Sequence, residues 1–245
     1  MTDFKDITVG IKTFNREKKI KASLSQAASL PFEHYIVCDD GEVSNSLHQF
    51  YQSIKKISDL KVIKPDYDTG LSHGRNLIVE NTSTKYLLLI DDDQIIPKNI
   101  HLLKKILEND HSLGGISGFW YEHGKTICKA YDTEVSGDVL IKSYPTRTPR
   151  KLNDLWYYIA DHIPNSTLFV TECLRQVPWD PFYKIGFEHE DFYLLHKRLG
   201  KWKFAVTPNV VITHAPQGEK KYDISYRMKK DRLKRSSDHF QSKWG

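Results

Sequence analysis

The segment Lys85–Asp93 joins a short apolar run to three consecutive carboxylates, Asp91, Asp92 and Asp93. An apolar run that ends in an abrupt acidic triplet is typical of a buried strand in an α/β sheet. Ligands of such sheets lie outside the carboxyl ends of the strands, so the triplet stands where chemistry is expected. Adjacent like charges are tolerated most easily beside a cation, and oxygen ligands suit Mg²⁺ or Mn²⁺. The alternative interpretation is a solvated acidic turn.

Three further polar groups stand at the ends of predicted elements. A first strand ends near Thr13-Phe14-Asn15-Arg16, a second ends in Asp39-Asp40-Gly41, and Glu190-Asp191 opens a late helix. The second and third groups have structural alternatives, because Asp-Asp-Gly is a common turn sequence and the helix dipole favours carboxylates in a first turn. Their chemistry therefore depends on whether the fold brings them to the triplet.

The first 113 residues predict alternating strands and helices. Strands are expected at Ile7–Thr13, His34–Cys38 and Leu60–Ile63, with a helix after each of them. Asn15 is expected to cap the first helix, and Pro97 suits the first turn of the helix that follows the triplet. This alternation predicts βαβ units and hence an α/β fold, with a mixed, mainly parallel central sheet flanked by helices.

The pattern changes at Gly114, where shorter β-rich runs separated by turns predict a smaller antiparallel region. A helix is expected to open at Gly186–Asp191 and to run to Leu199, where Gly200 ends it. The other expected strands are Gly115–Tyr121, Thr126–Tyr131, Asp138–Tyr144, Asn165–Val170, Phe204–Val206 and Val210–Thr213.

Composition describes an ordinary globular protein of 245 residues, 39% hydrophobic and 27% charged. No apolar run reaches the length of a membrane span, and the first residues do not form a signal peptide. The three cysteines, Cys38, Cys128 and Cys173, are widely spaced and resemble neither a disulfide framework nor a zinc site. A reducing, cytoplasmic compartment is therefore expected.

Positive charge is concentrated near the C-terminus. Between Glu219 and Arg235 the chain has eight Lys or Arg residues and three Asp or Glu residues, a net charge of +5 that equals the charge of the whole chain. The rest of the chain is close to neutral, which argues against a broad nucleic-acid-binding surface. A local role on phosphate, or peripheral contact with the anionic inner face of a membrane, fits better.

The order and placement of these groups resemble the inverting glycosyltransferases of the GT-A fold, in particular glycosyltransferase family 2. Two runs, GLSHGRNLIVENTSTKYLLLIDDD from Gly70 to Asp93 and GFEHEDF from Gly186 to Phe192, are similar to the ganglioside-type N-acetylgalactosaminyltransferases and their microbial relatives. The resemblance covers nearly the whole chain. It implies a glycosyltransferase domain at 1–218, with a nucleotide-binding half at about 1–113, an acceptor-binding half at about 114–218, and a basic lid or tail at 219–245.

The resemblance implies a UDP-sugar donor, with an N-acetylhexosamine or a hexose as the transferred sugar. Asp40 would accept a hydrogen bond from N3 of the base, and Asp39 beside it offers a second acceptor. Arg75 would approach the base or the diphosphate, since its planar fork suits phosphate; the alternative is a surface arginine. The segment that would line the nucleoside pocket is Thr13, Phe14, Asn15 and Arg16.

The same resemblance assigns a divalent ion, Mn²⁺ or Mg²⁺, to Asp91, Asp93 and His214, with Asp92 as a contact to the ribose or to a metal-bound water. A lone histidine at a strand end is otherwise usually structural. Asp191 would be the catalytic base that takes the proton from the acceptor hydroxyl, and Glu190 would hold the acceptor or a neighbouring loop.

Two assignments concern the acceptor and the tail. Trp179 and Asp180 lie just before the late helix and could contact an acceptor sugar, although Trp179 is equally suited to the core. The acceptor itself is expected to be a hydroxyl of a glycan or of a lipid-linked saccharide. Many relatives carry a Gly-rich or Trp-bearing version of GFEHEDF, so acceptor choice does not transfer. The candidate diphosphate lid is Lys220, Lys221 and Tyr222, and its alternative is a solvated helix.

Two other classes of protein compete with a metal-dependent inverting glycosyltransferase. A sugar-1-phosphate nucleotidyltransferase shares the α/β layout but normally has a Gly-rich phosphate loop after the first strand, and Val9–Arg16 has none. A non-catalytic carbohydrate-binding protein would need neither a metal triplet nor a separate carboxylate pair.

Overall fold

The computed structural model describes residues 4–137, 139–215 and 223–245. These residues form one eleven-stranded sheet, one two-stranded sheet and seven α-helices. The strands are β1 Ile7–Thr13, β2 His34–Asp39, β3 Asp59–Ile63, β4 Tyr86–Asp91, β5 Gln94–Ile95, β6 Leu113–Glu122, β7 Lys125–Ile127, β8 Asp132–Ser136, β9 Val139–Ser143, β10 Arg150–Leu152, β11 Leu155–Ala160, β12 Thr167–Val170 and β13 Lys203–His214.

The helices surround the sheet and the chain ends in the longest of them. They are α1 Glu17–Ala28, α2 Asn45–Lys55, α3 Leu71–Glu80, α4 His101–Asn109, α5 Thr171–Gln176, α6 Glu188–Leu199 and α7 Lys230–Trp244. A π-helical turn, Asp223–Arg227, comes before α7. None of the helices in the described part of the chain has the length and apolar character that crossing a bilayer requires.

The large sheet is mixed, with the strand order β10-β11-β13-β6-β12-β4-β1-β2-β3. The run from β4 to β3 is parallel, whereas β12 pairs antiparallel with both β4 and β6. Strands β8 and β9 form the separate antiparallel pair. The predicted mixed α/β sheet, flanked by helices and joined by a smaller antiparallel region, is confirmed.

Strand β4 is buried on both faces, which explains its continuous apolar sequence. Its alternate side chains enter different cores: Leu88 and Ile90 pack on the side of α1, α2 and α4, and Leu87 and Leu89 pack on the side of α3, α5 and α6. In the parallel pairing with β1, Ile11 lies beside Ile90 and Lys12 beside Asp91. The apolar part of the strand therefore ends in the core, and the acidic triplet begins at its carboxyl edge.

Three local expectations were wrong. Asn15 does not cap α1: its backbone has a φ of 53°, and its side-chain oxygen accepts a hydrogen bond from the Glu42 amide instead. The two late strands are one continuous strand, β13, which carries a register shift between Thr207 and Val211. The chain between Cys128 and Tyr131 does not continue β7, which ends at Ile127.

His196 on α6 predicts a pH-dependent stability. Burial beside Phe192 and Phe204 lowers the pKa of His196 from 6.5 to about 4. Between these values the unfolded chain binds more protons than the folded protein, so stability is lost as the pH falls from 6.5 towards 4. We expect His196→Leu to reduce the pH slope of the unfolding free energy in this range by up to about 1.4 kcal/mol per pH unit. Urea unfolding at a series of pH values measures the slope; an unchanged slope would contradict the assignment.

Candidate active site

A cavity of about 430 Å³ opens at the carboxyl edge of β1, β2 and β4. Its wall includes residues from the strand ends, from the loop before α6 and from the chain around the start of α7. Most of the predicted groups meet here: Thr13, Phe14, Arg16, Asp40, Asp91, Asp92, Asp93, Glu190 and His214 line it. Asn15, Asp39, Arg75, Trp179, Asp180 and Asp191 are not on its wall.

At one end of the cavity Asp40 is held by a buried cation. The Lys12 ammonium donates to Asp40 Oδ1, and the Gly70 amide donates to Asp40 Oδ2 at 2.9 Å. An ionised carboxylate has about four lone-pair sites, so Oδ1 retains capacity for a further donor. Asp39 beside it points elsewhere and accepts from the Tyr51 hydroxyl at 3.0 Å. Of the two predicted acceptors, only Asp40 faces the cavity.

Lys12 reaches Asp40 only because position 74 has no side chain. A Cβ at Gly74 would lie 2.3 Å from Lys12 Cε. Overpacking a well-packed site typically costs about 1–3 kcal/mol, whereas Ala in place of Gly within a helix gains up to about 1 kcal/mol. We therefore expect Gly74→Ala to lower the unfolding free energy and to weaken ligand binding at this end of the cavity.

A double-mutant cycle tests this explanation of Gly74. In a Lys12→Ala background the clash is absent, so Gly74→Ala should become neutral or slightly stabilising. Chemical unfolding of the four proteins measures the change of sign. An equal loss of stability in both backgrounds would show that Gly74 is required for a reason other than Lys12.

The middle of the cavity holds the triplet and one arginine. Arg16 Nη1 donates to Asp92 Oδ1 at 2.6 Å, and Arg16 Nη2 donates to Asp93 Oδ2 at 2.8 Å. The Thr13 hydroxyl donates to Asp92 Oδ2 at 2.6 Å. Burial nevertheless raises the pKa of Asp92 to about 7. Arg16, predicted to line the nucleoside pocket, thus binds the carboxylates themselves and offsets part of their mutual repulsion.

Asp93 and His214 offer the donor atoms that fit a divalent ion. Asp93 Oδ1 is buried without a hydrogen-bond partner and lies 3.6 Å from His214 Nε2. His214 packs against Trp120 in a tilted arrangement, with ring centroids 4.2 Å apart, and β5 pairs with β13 so that Gln94 lies beside His214. Among the described residues no group of three or more His, Cys, Asp or Glu side chains is already arranged as a metal site. The orphaned oxygen and the facing imidazole therefore supply two candidate protein ligands.

Asp91, the third predicted ligand, is turned towards other partners. Arg75 Nη2 donates to Asp91 Oδ1 and Asn165 Nδ2 donates to Oδ2, each at 2.9 Å. Burial alone would raise the pKa of Asp91, but Arg75 and Asn165 hold it below its ordinary value. Both of its oxygens are engaged, so the metal role of Asp91 stays a prediction. Arg75 is 1% exposed, with its guanidinium 5.7 Å from the Trp179 ring, and is not the surface arginine of the alternative interpretation.

The far end of the cavity carries two glutamates from the start of α6. Glu190 Oε1 accepts from Lys142 of β9 at 2.6 Å, and this cation lowers the pKa of Glu190 against the effect of burial. Glu188 has no such partner: burial raises its pKa, and its Oε2 atom is without a hydrogen bond. His189 lies between them, with a pKa that burial and then Arg75 lower well below 6.5, so its imidazole is neutral at physiological pH.

Asp191, the predicted base, is buried behind the cavity under the end of α7. Its carboxylate accepts from Trp244 Nε1 at 2.7 Å and lies 2.9 Å from the Lys243 ammonium. The Tyr183 hydroxyl is a longer contact at 3.4 Å. The structure therefore brings Glu190 to the cavity wall and keeps Asp191 one layer behind it.

The two predicted acceptor residues do not line the cavity. Trp179 is 2% exposed and stacks on Phe192 at 4.4 Å, so it belongs to the core and not to an acceptor surface. Asp180 binds His239 and Lys243 of α7 at 3.0 and 3.1 Å. Lys220, Lys221 and Tyr222 lie outside the described residues. The adjoining segment does reach the cavity, since Tyr226, Arg227 and Arg232 are on its wall.

Several side-chain contacts of lining residues were not predicted from the sequence. Lys12 carried a signal, because a lysine inside an otherwise apolar parallel strand needs a buried counter-charge. The sequence around Asn165 and Trp120 gave no indication that they lie near the triplet, because this proximity comes from the antiparallel insertion of β12 between β4 and β6. Arg232 binds Asp68 at 3.0 Å, 164 residues away, and thereby fixes the start of α7 beside the cavity.

Comparisons with known proteins agree with this geometry. The sequence model described as glycosyl transferase family 2 matches residues 8–169, more than half of the chain. Beta-1,4 N-acetylgalactosaminyltransferase 2 of Mus musculus is 26% identical over 223 residues, which are 85% of this chain and 39% of that protein. This chain therefore spans less than half the length of that curated relative.

Solved structures show the same fold. S. aureus TarS 1–349 superposes with a TM-score of 0.60 at 19% identity, over 85% of this chain and 60% of that one. GalNAc-T7, crystallised with UDP, GalNAc and Mn²⁺, gives a TM-score of 0.68 at 14% identity, over 87% of this chain and 44% of that one. The GT-A fold implied by the sequence resemblance is confirmed. With a family match across β1, β2, β4 and the acidic triplet, the chain belongs to glycosyltransferase family 2.

Proposed function

We propose that this chain transfers a sugar from a UDP-sugar to an acceptor hydroxyl, with inversion at the anomeric carbon. The observation that carries the proposal is the single cavity that joins Asp40, the acidic triplet and the α6 glutamates. Two structural relatives support the donor class, since TarS has been crystallised with UDP-GlcNAc and GalNAc-T7 with UDP, GalNAc and Mn²⁺. An N-acetylhexosamine or a hexose is the sugar we propose.

The nucleoside is proposed to bind at the Asp40 end. Asp40 would accept from the base N3–H, in an orientation that Lys12 and the Gly70 amide fix. The centroid of the Phe14 ring lies 5.3 Å from that of Tyr67 and 5.0 Å from that of Tyr226, so aromatic side chains are available beside the base. Because Tyr67 and Tyr226 also share a hydrogen bond of 3.0 Å, the segment before α7 covers this end of the cavity.

The diphosphate is proposed to lie over the triplet. Asp93 and His214 would hold Mn²⁺ or Mg²⁺, which when bound neutralises charge on the diphosphate and on the departing UDP. Arg16 keeps Asp92 and Asp93 in place, so that Asp93 Oδ1 remains directed at His214. Lys184 and Arg232 are also on the wall, where both contact Asp68.

The acceptor is proposed to approach from the α6 side. A carboxylate there must take the acceptor proton as its oxygen attacks the face of the anomeric carbon opposite the diphosphate. Glu190 is suited to hold the acceptor hydroxyl, because it lines the cavity and Lys142 orients it. We retain Asp191 as the proposed base; to act, its carboxylate must exchange the contact with Lys243 for the acceptor.

The tail is proposed to aid contact with an anionic membrane that bears the acceptor. Arg227, Lys229 and Lys230 are exposed, and Met228 between them is 62% exposed. Basic residues around an exposed apolar side chain are typical of interfacial segments. Anionic vesicles should therefore retain the protein more strongly than neutral vesicles.

Isothermal titration with UDP, with and without Mn²⁺, tests the proposed function. We expect Mn²⁺ to strengthen UDP binding, and we expect slow hydrolysis of one or more UDP-sugars in a panel of donors. Pyrophosphate release from UTP and a sugar 1-phosphate would instead indicate a nucleotidyltransferase. If neither UDP nor a UDP-sugar binds, the glycosyltransferase proposal is wrong.

A further inference from the structure

The buried carboxylate oxygens on the cavity wall are not equally satisfied. Among the described cavity-lining carboxylates, two buried oxygens have no hydrogen-bond partner: Asp93 Oδ1 and Glu188 Oε2. Asp93 Oδ1 faces His214 and is explained by the proposed ion. Glu188 is 6% exposed, and nothing proposed so far engages it. A buried acceptor without a donor is unfavourable, so a ligand that supplies a donor there is bound more tightly.

Arg75 forms no hydrogen bond with Glu188, although the positive charge of Arg75 acts to lower the pKa of Glu188 against the larger effect of burial. The guanidinium directs Nη2 to Asp91 at 2.9 Å and Nη1 to the His189 ring at 3.2 Å. Glu188 Oε1 lies 3.2 Å from His189 Nε2, and Oε2 has no hydrogen-bond partner. The terminal torsion of a glutamate is broad, so a small rotation presents this oxygen to the cavity.

The order of strands indicates which part of a nucleotide-sugar reaches Glu188. Asp40 follows β2, Thr13 ends β1, the triplet begins with the last residue of β4, and Asn165 precedes β12; these four strands are neighbours in the sheet. With strands about 4.8 Å apart, Asp40 and Asn165 stand roughly 14 Å apart along the edge. A donor whose base lies at Asp40 and whose diphosphate lies at the triplet places its sugar on the β12 side.

Glu188 lies on this β12 side. Its neighbour His189 contacts Arg75, which binds Asp91, and the His189 ring stands 6.4 Å from the ring of His162, three residues before Asn165. The other acidic groups at this end already have partners: Asp91 has Arg75 and Asn165, and Glu190 has Lys142. Glu188 therefore offers the unengaged acceptor beside the position of the sugar.

We propose that Glu188 is a specificity-determining residue that accepts a hydrogen bond from a hydroxyl or an amide N–H of the sugar carried by the donor. The inference rests on the proposed function and adds to it a residue that distinguishes one transferred sugar from another. A hydroxyl and an acetamido N–H share the chemistry that Glu188 requires, and the ligands of the test distinguish them.

The test compares UDP with UDP-sugars in wild type and in two variants, with Mn²⁺ present. Glu188→Met removes the acceptor at similar size, and Glu188→Gln keeps the shape but removes the charge. Hydrogen bonds to charged groups contribute about 1.5–3 kcal/mol, so the dissociation constant of the preferred UDP-sugar should rise about 10- to 100-fold in Glu188→Met and less in Glu188→Gln. The dissociation constant of UDP, which lacks the transferred sugar, should stay within about threefold. Glu172→Met, at an exposed position of α5, is the matched control.

Donor analogues identify the group that Glu188 binds. A UDP-sugar that lacks the partner hydroxyl, or a UDP-hexose in place of a UDP-N-acetylhexosamine, should lose affinity for wild type but lose nothing further in Glu188→Met. Equal rises for UDP and for every UDP-sugar, or no rise for any UDP-sugar, would overturn the inference, whereas UDP binding by wild type would still support the proposed function. Failure of wild type to bind UDP would overturn the proposed function instead.

Discussion

Asp93→Ala is expected to abolish the Mn²⁺-dependent part of UDP binding. Asp93 Oδ1 is the buried, unpaired oxygen that faces His214, so its removal takes away the charged member of the proposed ligand pair. Mutation of a residue that only supports a metal ligand typically lowers metal affinity about 10–100-fold. Loss of a proposed ligand itself should therefore lower Mn²⁺ affinity by about 100-fold or more. The fold should survive, because Arg16 keeps its hydrogen bond to Asp92. Titration of UDP with Mn²⁺ and with a chelator measures the effect.

Two further variants serve as comparisons for Asp93→Ala. His214→Ala should weaken Mn²⁺-dependent binding less than Asp93→Ala, since water can replace one neutral ligand. Asp59→Ala, at the exposed start of β3 and the opposite edge of the sheet, should bind UDP as wild type does. The metal-site proposal fails if Asp93→Ala and His214→Ala both retain the wild-type response to Mn²⁺.

The parts of the site that sequence could predict are those that follow from strand ends. Ile7–Thr13 is β1 as expected, and parallel pairing alone then places Thr13 and the triplet at the same edge of the sheet. Asp40 follows for the same reason, one strand further along. Such strands can be recognised in the sequence because burial on both faces requires a run of consecutive apolar residues.

Residues whose partners are distant in sequence could not be assigned in this way. Asp91 and Asp93 are two residues apart, yet one binds Arg75 and Asn165 while the other faces His214. The difference arises because β12 enters antiparallel beside β4, and no local pattern records that insertion. Trp179 could equally have been core or surface from sequence, and only its stacking on Phe192 decides for the core.

The C-terminal helix changes what is expected of the catalytic pair. Ser236 of α7 donates to the Ile185 carbonyl at 2.8 Å, and Phe240 packs with Tyr183 and Leu194. The end of the helix is thereby held over α6, where Lys243 and Trp244 bind Asp191. The concentration of positive charge predicted a basic tail at 219–245. It gave no indication that the last turn of this tail carries the hydrogen-bond partners of a proposed catalytic carboxylate.

Asp191→Asn is expected to lower sugar transfer by roughly 10²–10⁴-fold, the usual contribution of a general base. The amide keeps the shape of the side chain but cannot take the acceptor proton. UDP affinity should stay within about threefold, because Asp191 does not line the cavity. A loss in turnover with donor binding intact is the signature of an interaction made only in the transition state.

Glu190→Gln separates the two members of the pair. Glu190 lines the cavity and is held by Lys142, so its loss should mainly raise the acceptor concentration needed for half-maximal rate and should cost less in turnover than Asp191→Asn. Unfolding of each variant must be measured alongside, since Asp191→Asn also leaves Lys243 with Asp180 as its remaining carboxylate partner. With folding intact, near-normal transfer by Asp191→Asn together with a large loss of turnover in Glu190→Gln would move the base to Glu190. Asp191 would then be the structural anchor of the C-terminal helix.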